Sequence, residues 1–410
     1  MRIFSFCGTR YNTDPVAAGH LAAPPYDQID AQLRDRLHRQ DRHFSRLTRP
    51  TESQGNPHRH SADLHKAWMQ RGVIQTDTEP GLYPYEIQLT DGRVRLGLCA
   101  LVGLEGSDSR TIRRHEETVP KTVDERLSLL RTTGIDFEPI LVLTDDGGRL
   151  NSELEADLRA ATLIADHSDS ANIRHKMYRL SSEERIDSYR SLLKRSSAVI
   201  ADGHHRYTVA HRYAEEIKPV PSSPASMKLM VLTSLVSPGL SIDPVHRGTE
   251  QIVDLLKVAN LVAERTKIEV STGSEIARLV AAAEQPALGV GPIGESFEIW
   301  TFDRGAPPRT LGANLSHLSV GWLHQAIIPK LDLPPSADTD GSIVYRSDPD
   351  RLWAELDNGE LQTGFWLPPM ESVGFALATS KGEILPPKST RFLLKLVSGL
   401  VWADHTCHIG

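Results

Sequence analysis

Seven residues, Ala201-Asp202-Gly203-His204-His205-Arg206-Tyr207, restrict what this chain can fold into more than any other stretch. A short apolar run, Ala198 to Ile200, precedes them, and Tyr207 to Ile217 reads as a helix. The order is therefore strand, glycine, helix start. Such a junction leaves backbone N–H groups and the positive end of a helix dipole facing one spot. That spot suits phosphate or another anion. Arg206 adds a planar fork able to hold two phosphate oxygens at once. His204 and His205 are candidates for catalysis or ligand contact, against a plainer reading in which His204 caps a turn and His205 packs. Neighbouring residues of an extended chain point to opposite sides, so the pair is ill placed to share one metal, and a zinc site is disfavoured.

A chain of 410 residues is too long for one simple core, so two or three domains are expected. Its 24% charged and 39% hydrophobic residues are those of a soluble globular protein. The net charge of −7 offers no basic footprint, so no nucleic-acid partner is expected. Cys7, Cys99 and Cys407 are far apart and odd in number, which reads as reduced thiols. No apolar run approaches a membrane span and the first residues lack a signal-peptide core. The expectation is a cytoplasmic protein with no membrane contact.

Along the chain, Pro24-Pro25 set a rigid turn before Tyr26-Asp27, and an amphipathic helix is expected from Ile29 to Leu37. Residues 38–60 are polar and rich in histidine and arginine. They read as a flexible loop, either solvated or serving as a lid. A helix at Ala62–Arg71 precedes strands Leu82–Leu89 and Val94–Leu104, joined by the hairpin turn Thr90-Asp91-Gly92-Arg93. Val123, Leu127 and Leu130 share one helix face, Ile140–Leu143 reads as a buried strand, and Leu154–Ala161 as a helix. Leu229–Leu235 is a further apolar strand. Beyond it the pattern predicts helices at 250–263, 275–284 and 319–326, strands near 287–290 and 297–302, and a helix near Pro349–Leu356 between two short strands.

A second constellation is His115-Glu116-Glu117, just before the helix that carries Val123. A glutamate beside a bound nucleotide can accept a hydroxyl proton in phosphoryl transfer or help to hold Mg²⁺. Acidic residues before a helix are also common as partners of its dipole. No P-loop and no protein-kinase signature occurs.

The order of parts is a His-Glu loop, a helix, a strand opened by Pro-Ile, and later a strand ending in Asp-Gly-His-His-Arg. It resembles the ParB/sulfiredoxin-like superfamily and, within it, the free serine kinases. The whole chain is closer still to the family called domain of unknown function 1015. The matching stretches are AAPPYDQI (22–29), RRHEETVPK (113–121), FEPILVL (137–143), ADGHHRYTVA (201–210), DPVHR (243–247) and LPPKSTRFLLKLVSGLV (385–401). One departure is Asp136, which stands where the resemblance leads one to expect Asn.

The resemblance implies an α/β (α+β) fold. Its parts are an N-terminal region, 1–94, a ParB/sulfiredoxin-like nucleotide-binding core, 95–240, and a second C-terminal α/β domain, 241–410. It implies a kinase that moves phosphate from ATP or ADP to the hydroxyl of a free amino acid, L-serine or one like it. Asp202, Gly203, His204, His205 and Arg206 would bind the nucleotide phosphates. Glu116 would be the general base, with His204 and His205 as further catalytic candidates. Glu117 and Asp202 would help to hold Mg²⁺. His115, Lys121, Arg126, His246, Arg247 and Lys388 would steady the phosphates or the acceptor. The alternatives are a switch protein that binds and slowly hydrolyses a nucleotide such as CTP, and a phosphate-ester hydrolase. A homodimer is a possible assembly.

Overall fold

The computed structural model describes residues 1–51, 55–106, 109, 111–115, 118–293, 296–333, 341–380 and 385–410. The chain forms two compact units, Met1–Leu240 together with Leu394–Gly410, and Ser241–Leu393.

The first unit opens with strands β1 (Ile3–Phe4) and β2 (Thr9–Tyr11), then helices α1 (Pro15–Gly19), α2 (Ala31–Leu37), α3 (Ser45–Thr48) and α4 (Pro57–Gln70). The polar stretch 38–60, expected as a loop, is thus partly helical. Asn56 starts α4 by accepting from the N–H groups of His58 and Arg59, and Pro57 fits the first helical position. Strands β3 (Ile74–Thr76), β4 (Tyr83–Gln88) and β5 (Val94–Gly103) follow. The hairpin between β4 and β5 forms where predicted, with Gly92 at φ 86° and Asp91 Oδ1 accepting from the Arg93 N–H at 3.0 Å.

Next come β6 (Ile112–Arg113), α5 (Pro120–Thr133), β7 (Ile135–Asp136), β8 (Ile140–Thr144), α6 (Arg149–Asp157), β9 (Thr162–Ser168), β10 (Arg174–Arg179) and α7 (Glu183–Leu193). The body of the unit ends with β11 (Ala198–Asp202), α8 (His204–Ile217) and β12 (Met227–Ser234). Among the described residues, nine strands make one mixed sheet in the order β6-β11-β8-β12-β5-β4-β10-β9, with β1 along β5. Strands β8 and β12 are buried along their whole length, which is why Ile140–Leu143 and Leu229–Leu232 read as apolar runs rather than alternating ones.

Both faces of the sheet are covered. On one, Leu150 and Leu154 of α6 and Ile186, Tyr189 and Leu193 of α7 pack against Leu98, Val142, Ile200 and Met230. A separate cluster, Val123, Leu127 and Leu130 with Val209, joins α5 to α8. The last residues of the chain belong to this unit: Trp402 bridges to Thr9 and packs on Phe44 at 4.9 Å and Tyr11 at 5.8 Å. Residues 1–94 therefore share a sheet and a core with those that follow, since β1 and β4 both pair with β5.

The second unit holds a six-stranded sheet among the described residues, with helices Gly273–Ala281 and Pro349–Asp357 on it around Trp366. The helix predicted at 250–263 is not formed. Asp254 caps a short 3₁₀ run, Leu255–Leu261, by accepting from the Leu256 N–H at 3.0 Å, and Glu264–Ile268 is a strand paired with Ser296–Thr301. The β-branched and polar alternation of Arg265-Thr266-Lys267-Ile268 is what the edge of a sheet takes up, and here it overrides the helical spacing before it.

Candidate functional site

The junction between β11 and α8 depends on Gly203. Its φ of 102° is strained for any residue with a side chain, and a Cβ there would stand 2.5 Å from Ile140 Cγ2 and 2.9 Å from Ile140 Cβ. The chain turns so sharply that α8 begins at His204, three residues before the predicted start, with the Tyr207 N–H donating to the Gly203 carbonyl at 3.0 Å. Among the described residues no side chain caps this helix.

Helix α5 begins close by. Pro120 is in its first turn, Val119 precedes it, and among the described residues it too has no side-chain cap. The Val119 N–H donates to His205 Nε2 at 2.9 Å, so the neutral ring carries its proton on Nδ1. Two helix N-termini thus meet at His205, and both bring partial positive charge to the same place.

His204 turns the other way. Its ring lies edge-on to that of His115, with centroids 4.5 Å apart, and both side chains are buried. Burial pushes the His115 imidazole down to about 4, and it lowers His204 further below the ordinary range with help from His115 and Arg114. Both rings are therefore neutral at pH 7. The two histidines face different surroundings, but not as residues of an extended chain: both lie in the first turn of α8, where successive side chains are about 100° apart. Each fastens one end of the same segment, His204 at His115 and His205 at Val119. Glu116 and Glu117 lie in that segment but outside the described residues.

Arg206 points inward. Nη1 donates to the Pro139 carbonyl at 2.6 Å and Nη2 to Asp202 Oδ2 at 2.5 Å. Burial would lower its pKa, but Asp202 and then Glu138 hold it above the ordinary value. The other oxygen of Asp202 lies 3.4 Å from Lys395 Nζ, which also pairs with Asp27. The sequence reading gave Arg206 a direct grip on phosphate and Asp202 a place on Mg²⁺. In the structure Arg206 clamps its own turn, and both oxygens of Asp202 face cations, which does not fit a metal ligand. Among the described residues no group of three or more His, Cys, Asp or Glu side chains is placed to hold a metal ion.

Asp136 has a clear local reason. Its Oδ1 pairs with the buried Lys228, and its Oδ2 accepts from the Leu229 N–H at 2.9 Å. Lys228 also donates to the Glu138 carbonyl at 2.9 Å, and burial lowers its pKa against the pull of Asp136.

A cleft of about 1260 Å³ opens beside the two helix starts. His205 and Lys121 line it from α8 and α5, with Lys121 exposed. Asp27, Arg34, Arg49 and Glu125 are among the other lining residues. The stretch 38–60 thus contributes to the wall through Arg49, Pro50, Thr51, Pro57 and His58. Arg126, also at the cleft, is buried and structural in its contacts. It donates to the Thr48 carbonyl at 2.8 Å, pairs with Glu125 and sits 4.4 Å over the Tyr26 ring.

The remaining candidates lie in the second unit. His246 is buried, accepts from the Leu367 N–H through Nδ1 at 3.1 Å, and is pushed down to about 4 by burial. Arg247 donates to the carbonyls of Pro387 at 3.0 Å and Lys388 at 3.1 Å, so it holds the turn on which Lys388 is exposed.

Sequence reasoning missed Arg49, Lys395 and Asp27 as site residues. Lys395 and Asp27 fall inside stretches that carried the resemblance, whereas nothing around Arg49 distinguished it from the other arginines of its polar stretch.

The chain is similar to a conserved hypothetical protein from Pyrococcus furiosus, at 15% identity over 71% of this chain and 92% of that one, with a TM-score of 0.33. It is similar to a free serine kinase in complex with AMP, at 15% identity over 69% and 84%, TM-score 0.32. It is also similar to SbnI with C-terminal truncation from Staphylococcus aureus, at 13% identity over 72% and 83%, TM-score 0.36. No curated protein matches it. Residues 3–290 match the family described as Protein of unknown function (DUF1015), and the chain belongs to that family.

Proposed function

We propose that this protein is a nucleotide-dependent kinase of a small hydroxylated amino acid, with L-serine or a serine-like acceptor favoured and ATP or ADP as donor. The observation that carries the reading is the meeting of two helix N-termini at His205 and Val119 on the wall of the cleft, with Lys121 beside them. Backbone N–H groups there suit the phosphates, and Lys121 adds a mobile positive charge. Arg206 is given a supporting part, holding the turn in place through Asp202 and Pro139.

Each helix end contributes about 0.3–1 kcal/mol as a dipole, so direct hydrogen bonds and charge carry most of the stabilisation. Mg²⁺ would come with the nucleotide phosphates and offset their charge there. In the transfer, the acceptor hydroxyl oxygen forms a bond to the terminal phosphorus, the bond to the departing ADP or AMP breaks, and Glu116 takes the hydroxyl proton. The role of Glu116 rests on the resemblance of its loop to that of the serine kinases. It agrees with a segment tied at both ends to the DGHHR turn.

The test is phosphorus NMR with Mg²⁺, ATP or ADP and a panel of hydroxy amino acids. A new phosphomonoester signal is expected from the wild type, with the rate reduced about 10²–10⁴-fold in Glu116→Gln. Nucleotide binding with slow hydrolysis and no phosphorylated acceptor would replace this reading with that of a switch.

A further inference from the structure

Among the described residues three arginines line the cleft, and two of them are committed. Arg34 Nε and Nη2 each lie 3.1 Å from Asp35 Oδ1. Arg126 is held by the Thr48 carbonyl, Glu125 and the Tyr26 ring. Arg49 differs. Among the described residues no carboxylate pairs with its guanidinium, and its Nε, shielded from solvent, meets no acceptor.

A shielded guanidinium donor with no acceptor is costly, and a ligand is one way to complete it. The position is also fixed in advance. The Arg49 N–H donates to the Ser45 carbonyl at 2.7 Å, and Arg126 grips the carbonyl of the preceding residue. The backbone that carries the side chain needs no reordering on binding.

We propose that Arg49 receives the carboxylate of the acceptor. The proposal deepens the kinase reading and rests on it for the identity of that anion. The converging helix ends and Lys121 already answer the phosphates, and they come from α5 and α8. Arg49 comes from a different element, the end of α3, as a site for the second reactant should. Asp27, Asp30 and Asp35 line the same cleft. Their charges disfavour a second phosphate and suit the ammonium of a zwitterion. A guanidinium fork matches a carboxylate in shape and charge, with two parallel hydrogen bonds, which a lysine does not reproduce.

The experiment is calorimetric titration of wild type, Arg49→Lys and Arg49→Met with ADP, L-serine, other hydroxy acids and L-serinamide, which lacks the carboxylate. The Kd for the acceptor should rise at least tenfold in Arg49→Met, and less in Arg49→Lys, with the Kd for ADP within twofold of wild type. L-serinamide should bind the wild type weakly and lose no further affinity in Arg49→Met. An unchanged urea midpoint in both variants would show that the fold is intact. A fall in ADP affinity with acceptor affinity kept, no change in either, or a wild type that binds no carboxylate of the panel overturns the proposal. A wild type that phosphorylates only acceptors without a carboxylate overturns it too, while leaving the kinase reading standing. Carboxylate binding lost in Arg49→Met, with no phosphorylated product from any acceptor, supports Arg49 and sinks the kinase reading instead.

Discussion

Replacing Asp136 by asparagine removes one charge and almost no volume. The amide keeps an oxygen for the Leu229 N–H, which Asp136 Oδ2 accepts at 2.9 Å, so the backbone bond survives. What is lost is the counter-charge of Lys228, a side chain only 3% exposed that is left with the Glu138 carbonyl at 2.9 Å as its remaining partner. Breaking a buried pair from one side costs about 3–5 kcal/mol, most of it the penalty of a buried charge with no opposite. The double variant Asp136→Asn with Lys228→Met removes both charges and should recover most of that loss, to within about 1–2 kcal/mol of wild type. Urea unfolding at pH 7 with an unchanged m-value gives the numbers directly. A second signature follows from the sign of the Lys228 shift. Burial lowers its folded pKa, and in Asp136→Asn only the weaker pull of Glu138 opposes this, so unfolding takes up protons below the unfolded lysine value of about 10.4. The deficit of the single variant should therefore shrink as the pH is raised from 7 to 9. If Asp136→Asn costs less than about 1 kcal/mol, or if the double variant is no better than the single, the pair is not the buried couple described above.

Two further outcomes are expected. Gly203→Ala should destabilise by about 2–5 kcal/mol, combining roughly 1–2 for a left-handed conformation with roughly 1–3 for the contact with Ile140; a urea midpoint equal to wild type would contradict the turn geometry. His43, His65 and His115 are each pushed down to about 4 by burial. Their contribution is complete above the unfolded value of about 6.5 and falls away between there and about 4, because the unfolded chain binds protons that the folded one refuses. Urea midpoints should drop on acidification through this window, and His65→Gln should flatten the slope; a midpoint independent of pH from 6.5 to 4.5 would refute this.

How much could be read from the sequence follows the range of the interactions involved. The β4–β5 hairpin, α5 and β8 came out where their patterns put them, because turn chemistry at Asp91-Gly92 and periodicity at Val123, Leu127 and Leu130 act over a few residues. The strand–glycine–helix junction was legible for the same reason, although α8 starts at His204 because a glycine in a left-handed conformation lets the helix begin at once. Residues 250–263 misled because the strand that follows is stabilised by a partner some thirty residues on, which no local pattern shows. Around the DGHHR turn, the motif located the strand–glycine–helix junction but not the direction of each side chain. The inward turn of Arg206 is set by Pro139 and Asp202, and the embrace of Asp136 by Lys228 depends on a residue on β12. Lys395 and Arg49 join the site only through tertiary contact, so their meaning was out of reach of spacing arguments.

The return of residues 394–410 to the first unit has a consequence for how the protein is made. Strand β1 leaves the ribosome long before Trp402, which fills the space between Tyr11 and Phe44. Lys395, the partner of Asp27 and Asp202, emerges only a few residues earlier. The nine-stranded sheet can assemble during synthesis, while Asp27 and Asp202 stay without the Lys395 cation until the whole second unit has been translated. A nascent chain halted inside the second unit would therefore carry the DGHHR turn with Asp202 only half paired, and an unfilled hydrophobic gap where Trp402 belongs.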